Sequence, residues 1–170
     1  ADCADVIEIG VPFSDPMADG VTIQRSSHLA IESGVRLRWI LNQLKTISIN
    51  TPIILMSYLN PLYVYGYTQL AQDSKDAGVD GFIVPDLPIE EGEELREILK
   101  LAGLGMIQLV TPTTPKDRIK KIAAKSSGFL YAVTMKGVTG GNDGLPQEVT
   151  GYLETVKALT TIPVCAGFGV

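Results

Sequence analysis

The fold is decided by the stretch Val6–Gly20, VIEIGVPFSDPMADG. It opens as a short apolar run, Val6 to Gly10, of the kind that fills a buried strand. It then breaks into a loop with Pro12, Ser14, Asp15, Pro16 and Asp19, and Gly20 permits a turn at its end. One residue is out of place: Glu8 is a carboxylate among side chains that favour burial. An ionised carboxylate costs several kcal/mol, roughly, to bury alone. Glu8 is therefore salt-bridged at a sheet end, pointed at a cavity, or shifted in pKa. Strand, carboxylate and acidic loop in that order point to an active site.

The same punctuation recurs outward from that stretch. Thr22 is placed to cap a helix over 23–33 that Gly34 closes, and a second helix over 36–46 sets Leu37, Ile40, Leu41 and Leu44 on one face with Trp39 at its edge. Pro52 introduces a strand over 53–57, which runs into Tyr58, Leu59, Asn60 and Pro61, a pair of last residues that discourages a helix there. A helix over 67–77 ends at Gly78, and a strand over 81–84 meets Pro85, Asp86 and Pro88. Then come a helix over 90–102, a strand over 105–110, and a helix over 116–125 that Thr113 or Thr114 caps and whose charge order suits the helix dipole. A strand over 128–133, a glycine-rich loop over 136–144, a helix over 146–159 and a strand over 163–166 complete the chain, ahead of Gly167, Phe168 and Gly169.

Six apolar strands alternating with helices make an α/β protein with a parallel sheet. An open doubly wound sheet and a closed eight-stranded barrel both fit. No GxGxxG follows the first strand, which counts against dinucleotide binding, and chemistry spread over several strand ends favours the barrel, where every strand delivers a loop to one face. At 170 residues, 45% hydrophobic and 19% charged, the chain reads as a single domain, residues 1–170.

Net charge of -5 without a basic stripe argues against nucleic acid, and the cations between Lys116 and Lys125 read as a solvated helix face. Cys3 and Cys165 lie near opposite ends with no CxxC spacing, so neither a disulfide framework nor a metal site is expected, and a reducing, cytoplasmic compartment fits. His28 is the single histidine, which leaves histidine-based triads short of material, and it reads as a surface residue. No apolar run approaches the length of about 20 residues that spans a membrane. A start at Ala1 inside what reads as a helix end, and a stop at Val170 just after a strand, create the expectation of a piece of a longer protein.

Several motifs taken together resemble the tryptophan synthase alpha subunit family: IEIGVPFSDPMADGVTIQ from Ile7 to Gln24, SYLNP from Ser57 to Pro61, VPDLPIEE from Val84 to Glu91, GVTGG from Gly137 to Gly141, and AGFGV at the end. The resemblance implies a TIM (β/α)8 barrel of which these residues supply about strands two to seven, the first and eighth lying outside. It implies a carbon–carbon lyase of tryptophan biosynthesis that cleaves indole-3-glycerol phosphate to indole and glyceraldehyde 3-phosphate, with no metal or cofactor in this subunit. Glu8 matches the family's acid–base glutamate, and Asp19 its second catalytic carboxylate, which accepts the indole N–H. Met56, Tyr58, Ile83, Tyr131 and Phe168 match positions around the indole, Thr139 a threonine of the loop that closes over substrate, and Gly140 and Gly169 phosphate-contacting glycines.

The resemblance further implies a beta subunit carrying pyridoxal phosphate, joined in an alpha2-beta2 heterotetramer. Loops near Pro12–Asp15, Asn60–Pro61 and Asp86–Pro88 match those that face it. A plastid location would accompany a photosynthetic eukaryotic source. Three alternatives stand beside this reading: another phosphate-sugar barrel enzyme, disfavoured by one histidine and the first motif; a stand-alone indole-3-glycerol phosphate lyase; and a truncated, non-catalytic subunit that only modulates a beta partner.

Overall fold

The computed structural model describes residues 4–134 and 147–167. The chain falls into two compact units, 1–106 and 107–170. In each, strands and helices alternate in sequence order, and neighbouring strands pair in parallel.

The first unit holds β1 (Ile7–Gly10), α1 (Val21–Glu32), α2 (Leu37–Leu44), β2 (Ile53–Met56), α3 (Leu59–Tyr65), α4 (Tyr67–Asp76), β3 (Gly81–Ile83), α5 (Glu93–Leu101) and the first residues of β4 (Gly105–Val110). Its core is aliphatic with one ring at the centre. Leu41, Leu55, Leu62, Leu70, Phe82, Leu95 and Leu99 are each at most 1% exposed and belong to one cluster. Burial of such a side chain stabilises by about 1.5–3 kcal/mol, so this cluster is the main term holding helices to strands. Helix α2 buries the four residues its periodicity singles out, Leu37, Ile40, Leu41 and Leu44, while Trp39 at the edge stays 48% exposed.

Three local expectations are corrected in this unit. Helix α1 starts at Val21 with Gly20 as N-cap and no side-chain cap, so Thr22 lies inside the first turn. Residues 59–65 form α3 in spite of Asn60-Pro61. Pro61 falls in the first helical turn, where an N–H has no intrahelical acceptor, so its missing donor costs nothing. Strand β1 is open and not buried: Ile7 and Ile9 are half-buried, while Glu8 and Gly10 are exposed. Among the described residues β1 has one partner strand, β2, which leaves its other edge without cover.

Polar anchors sit at the edge where the strands begin. The Asp80 carboxylate accepts the Ile53 N–H at 2.8 Å, and the Gly105 N–H donates to the Asp80 carbonyl at 2.7 Å, fixing where β2 and β4 start.

The second unit continues β4 and adds α6 (Lys116–Ala123), β5 (Leu130–Val133), α7 (Gln147–Ala158) and β6 (Val164–Gly167). Ile119, Ile122 and Ala123 are buried, while the cations from Lys116 to Lys125 stay exposed, as the sequence pattern implies. Neither threonine caps α6. Its N-cap is Pro115, and the Thr114 hydroxyl instead accepts the Thr111 N–H at 2.9 Å. The Tyr152 hydroxyl donates to the Val110 carbonyl at 2.9 Å and ties α7 to the end of β4; burial pushes that phenol up to about 12.

Candidate active site

Parallel register places the sequence-derived residues of the first unit. Glu8 pairs with Ile54 and Ile54 with Gly81; one row further, Gly10 pairs with Met56 and Met56 with Ile83. Side chains alternate between faces along a strand and agree across paired positions. Ile53, Leu55 and Phe82 belong to the core cluster against the helices, so Glu8, Met56 and Ile83 share the opposite face. The two rows are one two-residue step, about 6.6 Å, apart. Glu8 is the single charged side chain among the strand positions of that face, whose other members are Gly10, Ile54, Met56, Gly81 and Ile83. Ile54 and Ile83 are buried there, 5% and 0% exposed.

The question raised by Glu8 is thereby answered in part. Among the described residues it has no hydrogen-bond or ion-pair partner, so none of their side chains holds it in a salt bridge. Its surface remains accessible to water, yet partial burial alone pushes its carboxyl above the ordinary glutamate value. An unpaired carboxylate that water reaches, on an otherwise apolar face, is suited to taking and returning a proton.

Asp19 sits in the loop after β1, half-buried, and lines a cavity of about 290 Å³ with Met56, Tyr58, Ser57, Gly10 and Pro85. Tyr58 follows β2 and is 6% exposed. Its hydroxyl accepts the Ala18 N–H at 2.9 Å. Its ring packs against Phe13, centroids 5.5 Å apart. Burial foremost, opposed by the Ala18 N–H and reinforced by Asp19 and Asp86, holds the Tyr58 phenol above its usual value. Glu8 and Ile83 do not line this cavity, so the first unit presents two adjoining groups: a strand face with Glu8, Met56 and Ile83, and a loop-side cavity with Asp19, Met56 and Tyr58. Met56 belongs to both.

In the second unit Tyr131 lies on β5, paired with Leu109 of β4 and Cys165 of β6. Its ring reaches along the sheet to Gly167, where any side chain would overlap the phenol. The Thr134 hydroxyl donates to the Gly167 carbonyl at 3.1 Å and fixes the end of β6 beside that ring. Cys165 is a free, exposed thiol.

Comparison with known proteins shows the family of the chain. The sequence profile of the family described as tryptophan synthase alpha chain matches residues 1–170. The chain belongs to that family. A tryptophan synthase alpha chain from Bacillus cereus is 47% identical over 169 residues, 98% of this chain and 66% of the relative. The chain thus spans just under two thirds of the length of the curated relatives it matches. A tryptophan synthase complex from Pyrococcus furiosus superimposes with a TM-score of 0.90 at 37% identity, covering 99% of this chain and 68% of that one. A second structure from the same organism, concerning mutual activation of the tryptophan synthase a2b2 complex, gives 0.89 at 40% identity, covering 99% and 69%.

Membership in the tryptophan synthase alpha chain family carries the fold: a TIM (β/α)8 barrel, of which this chain contributes six parallel strands. Four of the residues matched to the family's site, Thr139, Gly140, Phe168 and Gly169, lie outside the described residues, as does the glycine-rich loop over 136–144. His28 is on the surface, 3.3 Å from Glu32. Among the described residues no group of three or more metal-binding side chains occurs, and no helix is long and apolar enough to cross a membrane. The relatives named here are bacterial and archaeal, and nothing favours a plastid.

Two residues of the site were not singled out from the tryptophan synthase motifs. Ala18 contributes only its N–H, which a sequence cannot advertise. Asp86 accepts the Leu59 N–H at 2.9 Å and so fixes the start of α3 beside Tyr58. Its signal was its position, an acid immediately after a strand and a proline.

Proposed function

We propose that the protein is an alpha subunit of tryptophan synthase that cleaves indole-3-glycerol phosphate to indole and glyceraldehyde 3-phosphate. The observation that carries this reading is Glu8, a carboxyl with no partner among the described residues, raised by burial on the face it shares with Met56 and Ile83. In this reaction a proton is delivered to indole C3, and the ring nitrogen becomes cationic. The C3' hydroxyl then loses its proton, the C3–C3' bond breaks, and its electrons restore the indole ring as the aldehyde forms. Glu8 moves the proton at C3 and C3', which requires a group that changes protonation near neutrality. Asp19 accepts the indole N–H and opposes the charge that develops on the ring. The reading assigns Met56, Tyr58, Ile83, Tyr131 and Phe168 to contact with the indole, Thr139 to the closing loop, and Gly140 and Gly169 to the phosphate.

The reading treats residues 1–170 as one partial barrel domain and places the protein in the cytoplasm. Its partner is the beta subunit of an alpha2-beta2 complex, which holds pyridoxal phosphate; this subunit needs no cofactor for the cleavage. Support comes from family membership and from the a2b2 complex among the structural relatives. The test is Glu8→Gln, assayed for indole release with and without the beta subunit. Loss of the acid–base group lowers turnover by about 10²–10⁴-fold while circular dichroism is unchanged. Indole release at the unsubstituted rate refutes the assignment.

A further inference from the structure

The loop after β1 is held at Ala18–Asp19 from two sides. The Gln24 amide donates to the Asp19 carbonyl at 2.8 Å, and the Ala18 N–H donates to the Tyr58 hydroxyl at 2.9 Å. The phenol oxygen thus holds the backbone just before Asp19, and burial, helped by the nearby Asp19 carboxylate, keeps the phenol above its usual value. Its own place is set by burial, by the Phe13 ring, and by the neighbouring Leu59 N–H on Asp86, which links the loops after β2 and β3.

We infer that Tyr58 is a positioning residue for Asp19, its hydroxyl holding the loop backbone that carries that carboxylate while its ring serves as a wall of the cavity. This rests on the proposed cleavage for its consequence and on the geometry alone for its existence. A carboxylate on an unanchored loop samples several rotamers, of which few meet the substrate N–H. A phenol bonded to the loop backbone one residue before the carboxylate narrows that set, and pre-orientation of a charge-stabilising group acts mainly on the transition state. A wall contact would instead act on substrate affinity.

The test is Tyr58→Phe, which keeps the ring and removes only the oxygen, in the full chain with its beta partner. A neutral hydrogen bond accounts for about 2- to 10-fold in a rate, so kcat falls by that factor while KM for indole-3-glycerol phosphate stays unchanged. Amide hydrogen exchange at Ala18 accelerates by about 10-fold or more relative to Ile54 and Leu55, whose N–H groups lie inside β2. Unchanged Ala18 exchange overturns the inference, as does a raised KM at unchanged kcat, or faster Ala18 exchange with normal kinetics. If the unsubstituted protein itself fails to cleave indole-3-glycerol phosphate, the functional reading fails. The Ala18 exchange then still decides whether Tyr58 holds the loop.

Discussion

Gly81 gives the sharpest test of how the sheet is built around Glu8. A Cβ at Gly81 would lie 2.8 Å from the Gly105 carbonyl oxygen and 3.2 Å from its carbonyl carbon and Cα. All three atoms are backbone, so none swings aside. Relief requires β3 and β4 to separate by a few tenths of an ångström where the Gly105 N–H to Asp80 carbonyl bond, at 2.7 Å, holds them together. Overpacking of this kind costs about 1–3 kcal/mol, and weakening that hydrogen bond adds up to about 1 kcal/mol. Against this, replacing glycine restricts the unfolded chain and returns about 0.4–1 kcal/mol. The strain wins, for a net loss of about 1–3 kcal/mol. At about 2–4 °C per kcal/mol for a chain of this size, Gly81→Ala lowers Tm by about 2–12 °C. Scanning calorimetry at fixed protein concentration reads it directly. An unchanged or raised Tm would show that β3 and β4 have slack at this point, and the packing argument for the row Glu8–Ile54–Gly81 would fail with it.

Gly167→Ala makes the opposite kind of change, because the atoms in its way are the far end of the Tyr131 side chain, which rotates aside. Tm should fall by no more than a few degrees while the Tyr131 phenol leaves its place, a displacement that ¹³C-labelled tyrosine resonances report; an unmoved ring refutes the overlap. Glu8 also carries a pH signature. Its folded carboxyl is raised above the ordinary value of 4.5 by burial, so the folded state binds its proton more tightly than the unfolded chain does. That stabilisation is complete below the unfolded value and is lost as pH rises through the folded one. The Tm of Glu8→Gln should therefore gain on that of the unsubstituted protein across this interval and level off above it. A difference independent of pH would mean that burial does not act on Glu8.

What was legible in the sequence follows from what is local. The buried face of α2 and the limits of β4 came directly from apolar periodicity and from glycine at element ends. Local signals failed where their meaning depends on position within an element. Asn60-Pro61 reads as a helix breaker, yet in the first turn of α3 it breaks nothing. Thr22 and Thr114 have the chemistry of caps, and the chain places each beside the capping position and not in it. Glu8 was placed in a buried strand because its neighbours are apolar. The number of partner strands decides burial, and that number is not written in the five residues around it.

The candidate site was named by residue type and not by arrangement, and the reason is register. That Glu8, Met56 and Ile83 share a face requires the pairing of strands whose members are some tens of residues apart, and a slip by one residue would send Met56 into the helix-facing core. The Tyr58 to Ala18 bond spans 40 residues and uses a backbone donor. The arrangement nevertheless accounts for why the two carboxylates are not interchangeable. Glu8 has an apolar face around it and no partner among the described residues, which leaves its proton affinity to be set by burial and by whatever occupies that face. Asp19 has an amide donor on its carbonyl and follows an Ala18 N–H held by the Tyr58 hydroxyl, which together fix the backbone it stands on. A group that must exchange a proton gains from lacking fixed partners, and a group that must stay aimed at a cationic ring gains from having them. Glu8→Gln and Tyr58→Phe separate the two demands, since the first removes the proton and leaves every hydrogen bond in the loop, and the second leaves both carboxylates and removes the aim.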